Sequence, residues 1–274
     1  MRRIGHCGTL DPLASGVLVT CLGRYTRLSQ WISGAEKEYQ STFRLGATSD
    51  TGDSQGNLTS KVVAGPPTLN EIDAAMASFR GRILQAPPAY SAVKIGGVRS
   101  YELARQQQQV TAPARQIEVS TFEVASFRYP ELKVRIVCSK GTYVRALASD
   151  LGELLGCGAY VEQLRRIRAG AVSERDSISL DEVQRRLEAG EIELPFISPK
   201  VALRPLPDLT VPQVALAAFL HGNAISLTDT AQRLPDLADG TQCAVFDEGE
   251  RLCGIGEWGG EGSLRPVKVL VNER

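Results

Sequence analysis

Asp11 stands between a glycine-rich approach and a proline in GHCGTLDPLASGVLV, residues 5–19. A carboxylate so placed can act as a nucleophile or a charge stabiliser at a sugar anomeric carbon. Pro12 biases Asp11 toward extended backbone and so restricts how its side chain projects. Gly5, Gly8 and Gly16 allow tight backbone paths or close approach of a ligand. The same features describe a turn-capping aspartate, and these residues alone leave both uses open. Arg145, in GTYVRALASDLGELLG, falls in the first turn of an expected helix, the end at which the dipole disfavours a cation. That suits either a specific anionic partner or an ordinary surface arginine. Tyr39 and Tyr143 adjoin apolar periodic runs, as core aromatics do. Arg165, Arg166 and Arg168 (LRRIRAG) could hold phosphates or form a solvated face. His6 has no evident acid–base partner and reads as structural.

Other chemistries are disfavoured. The six cysteines include no C-x-x-C pair and mostly lie in apolar runs, which suits buried, reduced thiols rather than disulfides or zinc. With two histidines, a histidine-rich metal centre is not expected. Gly254, Gly256 and Gly259 match G-x-G-x-x-G, but no helix follows to meet a pyrophosphate. No apolar stretch is long enough to span a membrane and no leader precedes Gly5, so a cytoplasmic protein is expected. Net charge is zero, which argues against an unselective nucleic-acid coat. Residues 209–274 carry 9 acids and 5 bases, leaving 22 acids and 26 bases in 1–208, a distribution that permits RNA binding without requiring it.

The elements that must hold these residues follow from periodicity. Val17–Leu22 reads as a buried strand, and Leu28, Trp31 and Ile32 recur at helical spacing. Tyr39, Ser41, Phe43 and Leu45 share one face of a strand, after which GATSDTGDSQGN reads as a polar loop. Thr68 with Glu71 forms a capping box for a helix carrying Ile72 and Met76, and Ser179 with Glu182 forms another. Residues 85–115, polar and rich in proline, glycine, glutamine and cations, form a functional flap rather than a connector. Leu132, Val134, Ile136 and Cys138 alternate as a strand, and a helix from Val144 stops at Gly156. Pro195–Pro212 is the expected domain boundary, followed by a short helix and strands at Gln242–Phe246, Leu252–Ile255 and Val267–Val271. The class is α+β with a small β-rich module at the end.

Taken together, GHCGTLDPLASGVLV, KEYQSTFRLGATSDTGDSQG, PPAYSAVKIGGVRSYELAR, SKGTYVRALASDLGELLGCGAYVEQLRR and LRPVKVL occur in the order found in the bacterial tRNA pseudouridine synthase B (TruB) family. The chain resembles that family over essentially its whole length. The resemblance implies a pseudouridine-synthase fold, with a mixed, largely antiparallel sheet flanked by helices and a PUA-like C-terminal domain. Residues 1–208 would form the catalytic domain, 85–115 its RNA-clamping insertion and 209–274 the RNA-binding module. It implies an isomerase that converts the T-loop uridine at position 55 of tRNA to pseudouridine, with no cofactor, no metal and no obligatory protein partner. Asp11 matches the catalytic aspartate, Arg145 the arginine that pairs with it, and Tyr39 the tyrosine that handles the proton at C5. Tyr143 and Leu164 match residues lining the uracil pocket. His6 matches the histidine that fills the loop once the base has flipped out. Lys94, Arg165 and Arg166 complete the expected substrate-binding set. The resemblance does not distinguish attack of Asp11 on C1′, attack on the ring, or a glycal route.

Two departures accompany the match. Family members carry an N-terminal segment with a D-K-P-x-G-x-T-S-like motif ahead of this block, whereas four residues precede Gly5 here. A truncated or misassigned start is the expectation. Gln106–Gln109 stands where the family has A-R-x-G, so Gln107 replaces a clamp glycine. The rival readings are a weakened or inactive tRNA-folding protein on the same scaffold and a guide-RNA-dependent synthase. Intact Asp11, Tyr39 and Arg145 oppose the first; the free-standing clamp and compact C-terminal module oppose the second.

Overall fold

The computed structural model describes residues 3–63, 65–91, 93–105, 112–191, 195–227, 236–259 and 262–270. Gln106–Gln109 lies outside them. The chain forms two compact units, one of residues 9–18 and 34–169 and the other of residues 1–8, 19–33 and 170–274.

The first unit is built on a sheet whose elements are β1 (Ser15–Gly16), β2 (Lys37–Leu45), β3 (Gly81–Gln85), β4 (Arg115–Arg128), β5 (Glu131–Cys138) and β6 (Ala159–Ala169). The neighbours β6-β2-β5-β4-β3 run across it in that order, and β1 pairs with β6 off that path. Every pairing is antiparallel except β1 with β6, which run parallel. This is the mixed, largely antiparallel sheet expected from the sequence. Helices α1 (Leu69–Ala77) and α2 (Val144–Leu154) pack on it. Phe43, Phe122, Ile72, Met76, Leu132, Ile136, Leu147 and Leu151 form its buried core. The capping box at α1 is present: Glu71 N donates to Thr68 Oγ1 at 3.3 Å, and Thr68 N donates to Glu71 Oε2 at 2.7 Å.

Two local expectations are corrected. The polar stretch after β2 is not a plain loop, because Ala47–Ser49 pairs with Leu58–Ser60 as a hairpin and Asp53 at its tip is buried. Nor is Val17–Leu22 one continuous strand. Thr20–Leu22 pairs with Ile4–His6, while Val17 N donates to Arg166 O beside the β1–β6 pairing. A run of apolar residues signals burial, and burial alone does not specify a single strand.

The second unit contains β7 (Asp208–Thr210), α3 (Gln213–Leu220), β8 (Ile225–Ser226), β9 (Gln242–Phe246), β10 (Leu252–Trp258) and β11 (Ser263–Val269). The order β7-β9-β10-β11-β8 gives a five-stranded sheet whose core includes Leu216 and Phe219 from α3 and Trp258 and Leu264 from the strands. Leu28, Phe246, Leu252 and Ile255 form a second cluster in this unit, flanked by Trp31, whose indole donates to Gln242 Oε1 at 2.7 Å. Gly254 lies within β10, and a Cβ there would meet Lys268 O at 2.1 Å. Gly254 and Gly256 of the G-x-G-x-x-G match thus serve close strand packing, not a phosphate loop. Among the described residues, no helix is long and apolar enough to cross a membrane.

Candidate active site

Arg145 enters the site from the first turn of α2, where a lone cation is unfavourable. Its surroundings remove the difficulty. Nε donates to Asp11 Oδ2 at 2.9 Å and Nη2 to Asp11 Oδ1 at 3.0 Å, a two-point fork. Nη1 donates to Thr51 O at 2.9 Å and lies 3.6 Å from Asp53 Oδ2, while Nη2 also donates to Tyr90 O at 3.0 Å. The guanidinium is therefore shared between two carboxylates and two carbonyls. Its side chain is 6% exposed and that of Asp11 is 30%, so the acid faces an opening and the base does not. A buried charge is tolerated only when so completely paired.

The Asp11 loop is fixed from the other side by β6. Ala14 N donates to Asp11 O at 2.8 Å, closing a turn over Pro12. Leu13 and Ala14 pack on the core of the first unit. Arg166 is 2% exposed; its Nε donates to Val17 O at 2.7 Å and its Nη1 to Thr9 O at 3.4 Å. This arginine thus grips the backbone on both sides of Asp11, and it is not part of a solvated face. Gly16 has φ +99°, and a Cβ there would fall 2.1 Å from Arg166 O. Only glycine allows β1 to lie that close to β6.

Tyr39 lies on β2 opposite Arg166 on β6 and packs against the core of the first unit. Burial first, then the neighbouring Cys138 and the Asp11 charge, push its phenol above the usual tyrosine range, against the opposing pull of Arg166. Burial pushes the Cys138 thiol up to about 11. Leu164 is buried in the same core. Tyr143 precedes α2, and its hydroxyl accepts from Arg115 Nη2 at 3.3 Å while that guanidinium stacks 5.4 Å from the ring centroid.

The remaining expected residues fall elsewhere. Arg165 is exposed, with Nη1 3.3 Å from Ser15 Oγ. Arg168 pairs with Glu38 at 3.0 Å. Lys94 lies on a short strand paired with Val98–Arg99, and its side chain is outside the described part of the molecule. His6 occupies an exposed position on the strand Ile4–His6 of the second unit.

Three contributors were not foreseen. Asp53 accepts from Thr51 Oγ1 at 2.7 Å and Gln55 N at 3.0 Å, which orients its other oxygen toward Arg145. Gln85 is buried and clamps the backbone before α2: its Nε2 donates to Tyr143 O at 3.0 Å, and its Oε1 accepts from Tyr143 N at 2.8 Å. Tyr90 contributes a carbonyl. The available signal was Arg145 itself, because a guanidinium at a helix N-terminus needs more acceptors than Asp11 can supply.

The whole length of the chain has counterparts among known proteins. Residues 1–144 match the N-terminal domain of TruB family pseudouridylate synthases. Residues 145–202 match the tRNA pseudouridylate synthase B C-terminal domain, and 207–270 match the C-terminal model of pseudouridine synthase II TruB. A tRNA pseudouridine synthase B from Burkholderia pseudomallei (strain 668) is 38% identical over 272 residues, covering 99% of this chain and 88% of that protein. The protein of that name from Opitutus terrae is 44% identical over 193 residues, covering 70% of this chain and 80% of the relative. Among solved structures, an H/ACA RNP bound to a substrate RNA containing 2′-deoxyuridine superposes with a TM-score of 0.73 at 25% identity, covering 98% of this chain and 77% of the other. A Cbf5-Nop10-Gar1 complex gives 0.71 at 27% identity, covering 99% and 76%. The chain belongs to the TruB family of pseudouridylate synthases.

Proposed function

We propose that this chain isomerises uridine to pseudouridine in tRNA, acting on the T-loop uridine at position 55 without a cofactor. The observation that carries the reading is the fork between Arg145 and the partly open Asp11 in a chain of this family. In the reaction the C1′–N1 bond breaks, the uracil turns, C1′ joins C5, C5 gives up its proton and N1 gains one. Atoms and electrons are conserved. The glycosidic bond is out of reach while the base is stacked, so the uridine must be flipped out of its loop.

Each residue then has a defined task. Asp11 acts at the glycosidic carbon or ring while Arg145 fixes the direction of its oxygens, a preorganised charge arrangement that costs no reorganisation during the reaction. Tyr39 handles the proton at C5. Leu164 and Tyr143 enclose the uracil, and His6 fills the RNA loop left behind. Arg165 and Lys94 meet the RNA backbone, whereas the burial of Arg166 supports a task in holding the Asp11 loop. Residues 85–115 clamp the RNA, and the 209–274 module adds a second RNA-binding surface.

The test is tritium release from tRNA carrying 5-³H-uridine, with wild type and Asp11→Asn in parallel, followed by mapping of the modified position. Wild type is expected to turn over at position 55 while the near-isosteric variant does not. Equal release by both removes Asp11 from the mechanism. Binding of tRNA without release by wild type supports an RNA-folding protein instead.

A further inference from the structure

The Asp11 loop begins and ends at a cysteine. Cys7 follows the strand Ile4–His6, and Cys21 lies in its partner strand Thr20–Leu22, with Gly5 opposite Cys21 and Cys7 N donating to Val19 O at 2.8 Å. The two sulfurs are 3.4 Å apart and both residues are buried, so the contact is thiol to thiol. Residues 8–20, Asp11 among them, run between them. We propose that Cys7 and Cys21 form a redox-sensitive dithiol whose oxidation closes a covalent ring around the Asp11 loop and slows catalysis.

The co-reactant is hydrogen peroxide. The Cys21 sulfur attacks the peroxide oxygen, becoming a sulfenic acid as the O–O bond breaks and one water leaves. The Cys7 thiol then attacks that sulfur, the S–S bond forms and a second water departs. Two thiols lose two electrons in all, and one peroxide is reduced to two waters. The hydrogen bond from Cys7 holds the Cys21 thiol below its usual range despite burial, which makes Cys21 the attacking sulfur. Access needs only local opening. The two strands are three residues each, pair only with each other among the described residues, and expose Ile4 at their outer end; such ribbons are marginal by themselves.

Catalysis is affected through geometry. Bond formation draws the sulfurs from 3.4 Å to about 2 Å, and the two ends of the loop must take up the difference. Asp11 is four residues from Cys7 and is held in its fork at 2.9–3.0 Å. A displacement of about 1 Å at a reacting group can cost as much as 100-fold in rate. The effect on turnover rests on the proposed tRNA isomerase activity; the linkage does not.

The experiment treats the reduced full chain with hydrogen peroxide, blocks remaining thiols with iodoacetamide and digests with trypsin. Cleavage after Arg3 and Arg24 places both cysteines on one peptide, Ile4–Arg24. The expected peptide is lighter by two hydrogens and carries no alkyl group. Mild acid scission of its Asp11–Pro12 bond should give halves that separate only after reduction. Alkylation of both cysteines after peroxide treatment overturns the dithiol. In parallel, tritium release should fall about tenfold or more on oxidation, return with dithiothreitol, and stay unchanged by peroxide in Cys7→Ser and Cys21→Ser. A bridge that forms with turnover unchanged overturns the switch. No turnover by the reduced chain at the outset counts against the isomerase reading, and the mass measurement still decides the dithiol.

Discussion

Arg145 and Asp11 meet through two parallel hydrogen bonds of 2.9 and 3.0 Å, and the same guanidinium also serves two carbonyls and a second carboxylate. A planar fork can do this and an ammonium cannot. Arg145→Lys keeps the charge but can satisfy only part of that set, leaving buried acceptors unpaired at a cost of about 3 kcal/mol. The expected result is a chain that still binds tRNA in a filter assay within a few-fold of wild type. Its tritium release should drop by about 100-fold or more. A loss of affinity that accounts for the whole defect would reassign Arg145 to phosphate binding.

Asp53 Oδ2 lies 3.6 Å from Arg145 Nη1, and its side chain is 6% exposed. Asp53→Asn retains the shape and the hydrogen bond to Thr51 but removes the second negative charge. Turnover is expected to fall about 10-fold, equivalent to about 1.4 kcal/mol, with KM little changed. A rise in KM at constant kcat would place Asp53 in RNA binding instead.

The sequence made the framework legible where one periodicity dominated. β2, β5, α1 and α2 appear where alternation, helical spacing and the Thr68–Glu71 box place them. Asp11 and Arg145 were also legible as candidates, though their pairing came only through family resemblance, because nothing local links residues 134 positions apart. Asp53 and Gln85 were missed for a definite reason. Both sit in stretches whose composition is that of solvent-exposed chain, yet both are buried because polar partners await them, Thr51, Gln55 and Arg145 around Asp53 and the backbone of Tyr143 beside Gln85. Arg166 shows the converse, since a triple-arginine segment reads as surface while its middle member is enclosed by the carbonyls of Thr9 and Val17.

Glu38 lies between Arg135 Nε at 2.7 Å and Arg168 Nε at 3.0 Å. Burial works against its ionisation, but the hydrogen bonds from the two guanidinium groups together hold its carboxyl below the usual glutamate value of 4.5. Such a group stabilises the fold fully above its unfolded value and loses that contribution as pH falls through the lower folded one. Unfolding free energies of wild type and Glu38→Gln from urea titration should therefore differ at pH 7, by about 1 kcal/mol. They should converge on acidification below about pH 4. A difference that does not shrink at all as pH falls from 7 to the most acidic condition in which the chain stays folded would mean packing, not charge, is what the substitution disturbs.

Gly16 is the position at which the Asp11 loop tolerates least. Alanine there combines a φ of +99° with a Cβ 2.1 Å from the Arg166 carbonyl, so β1 must lift from β6. The expected loss is about 3 kcal/mol by urea unfolding, with turnover reduced further than the unfolded fraction explains. Recovery of full activity at low temperature would show that the loop reseats without the β1–β6 contact.

Tyr39 tests how the proton leaves C5. Its phenol is held above pH 10 first by burial and then by Cys138 and Asp11, while Arg166 on the facing strand acts in the opposite direction. The sign follows: below pH 10 the group stays protonated, so it contributes no inflection to the rate between pH 7 and 9.5. Tyr39→Phe conserves the ring that packs on the core and removes only the hydroxyl. Stability should change by about 1 kcal/mol or less, and tRNA affinity by no more than a few-fold. Tritium release should fall by about 100-fold or more if the hydroxyl carries the C5 proton. A phenylalanine variant that releases tritium at the wild-type rate would leave Tyr39 a packing residue and pass the proton to another group beside Asp11.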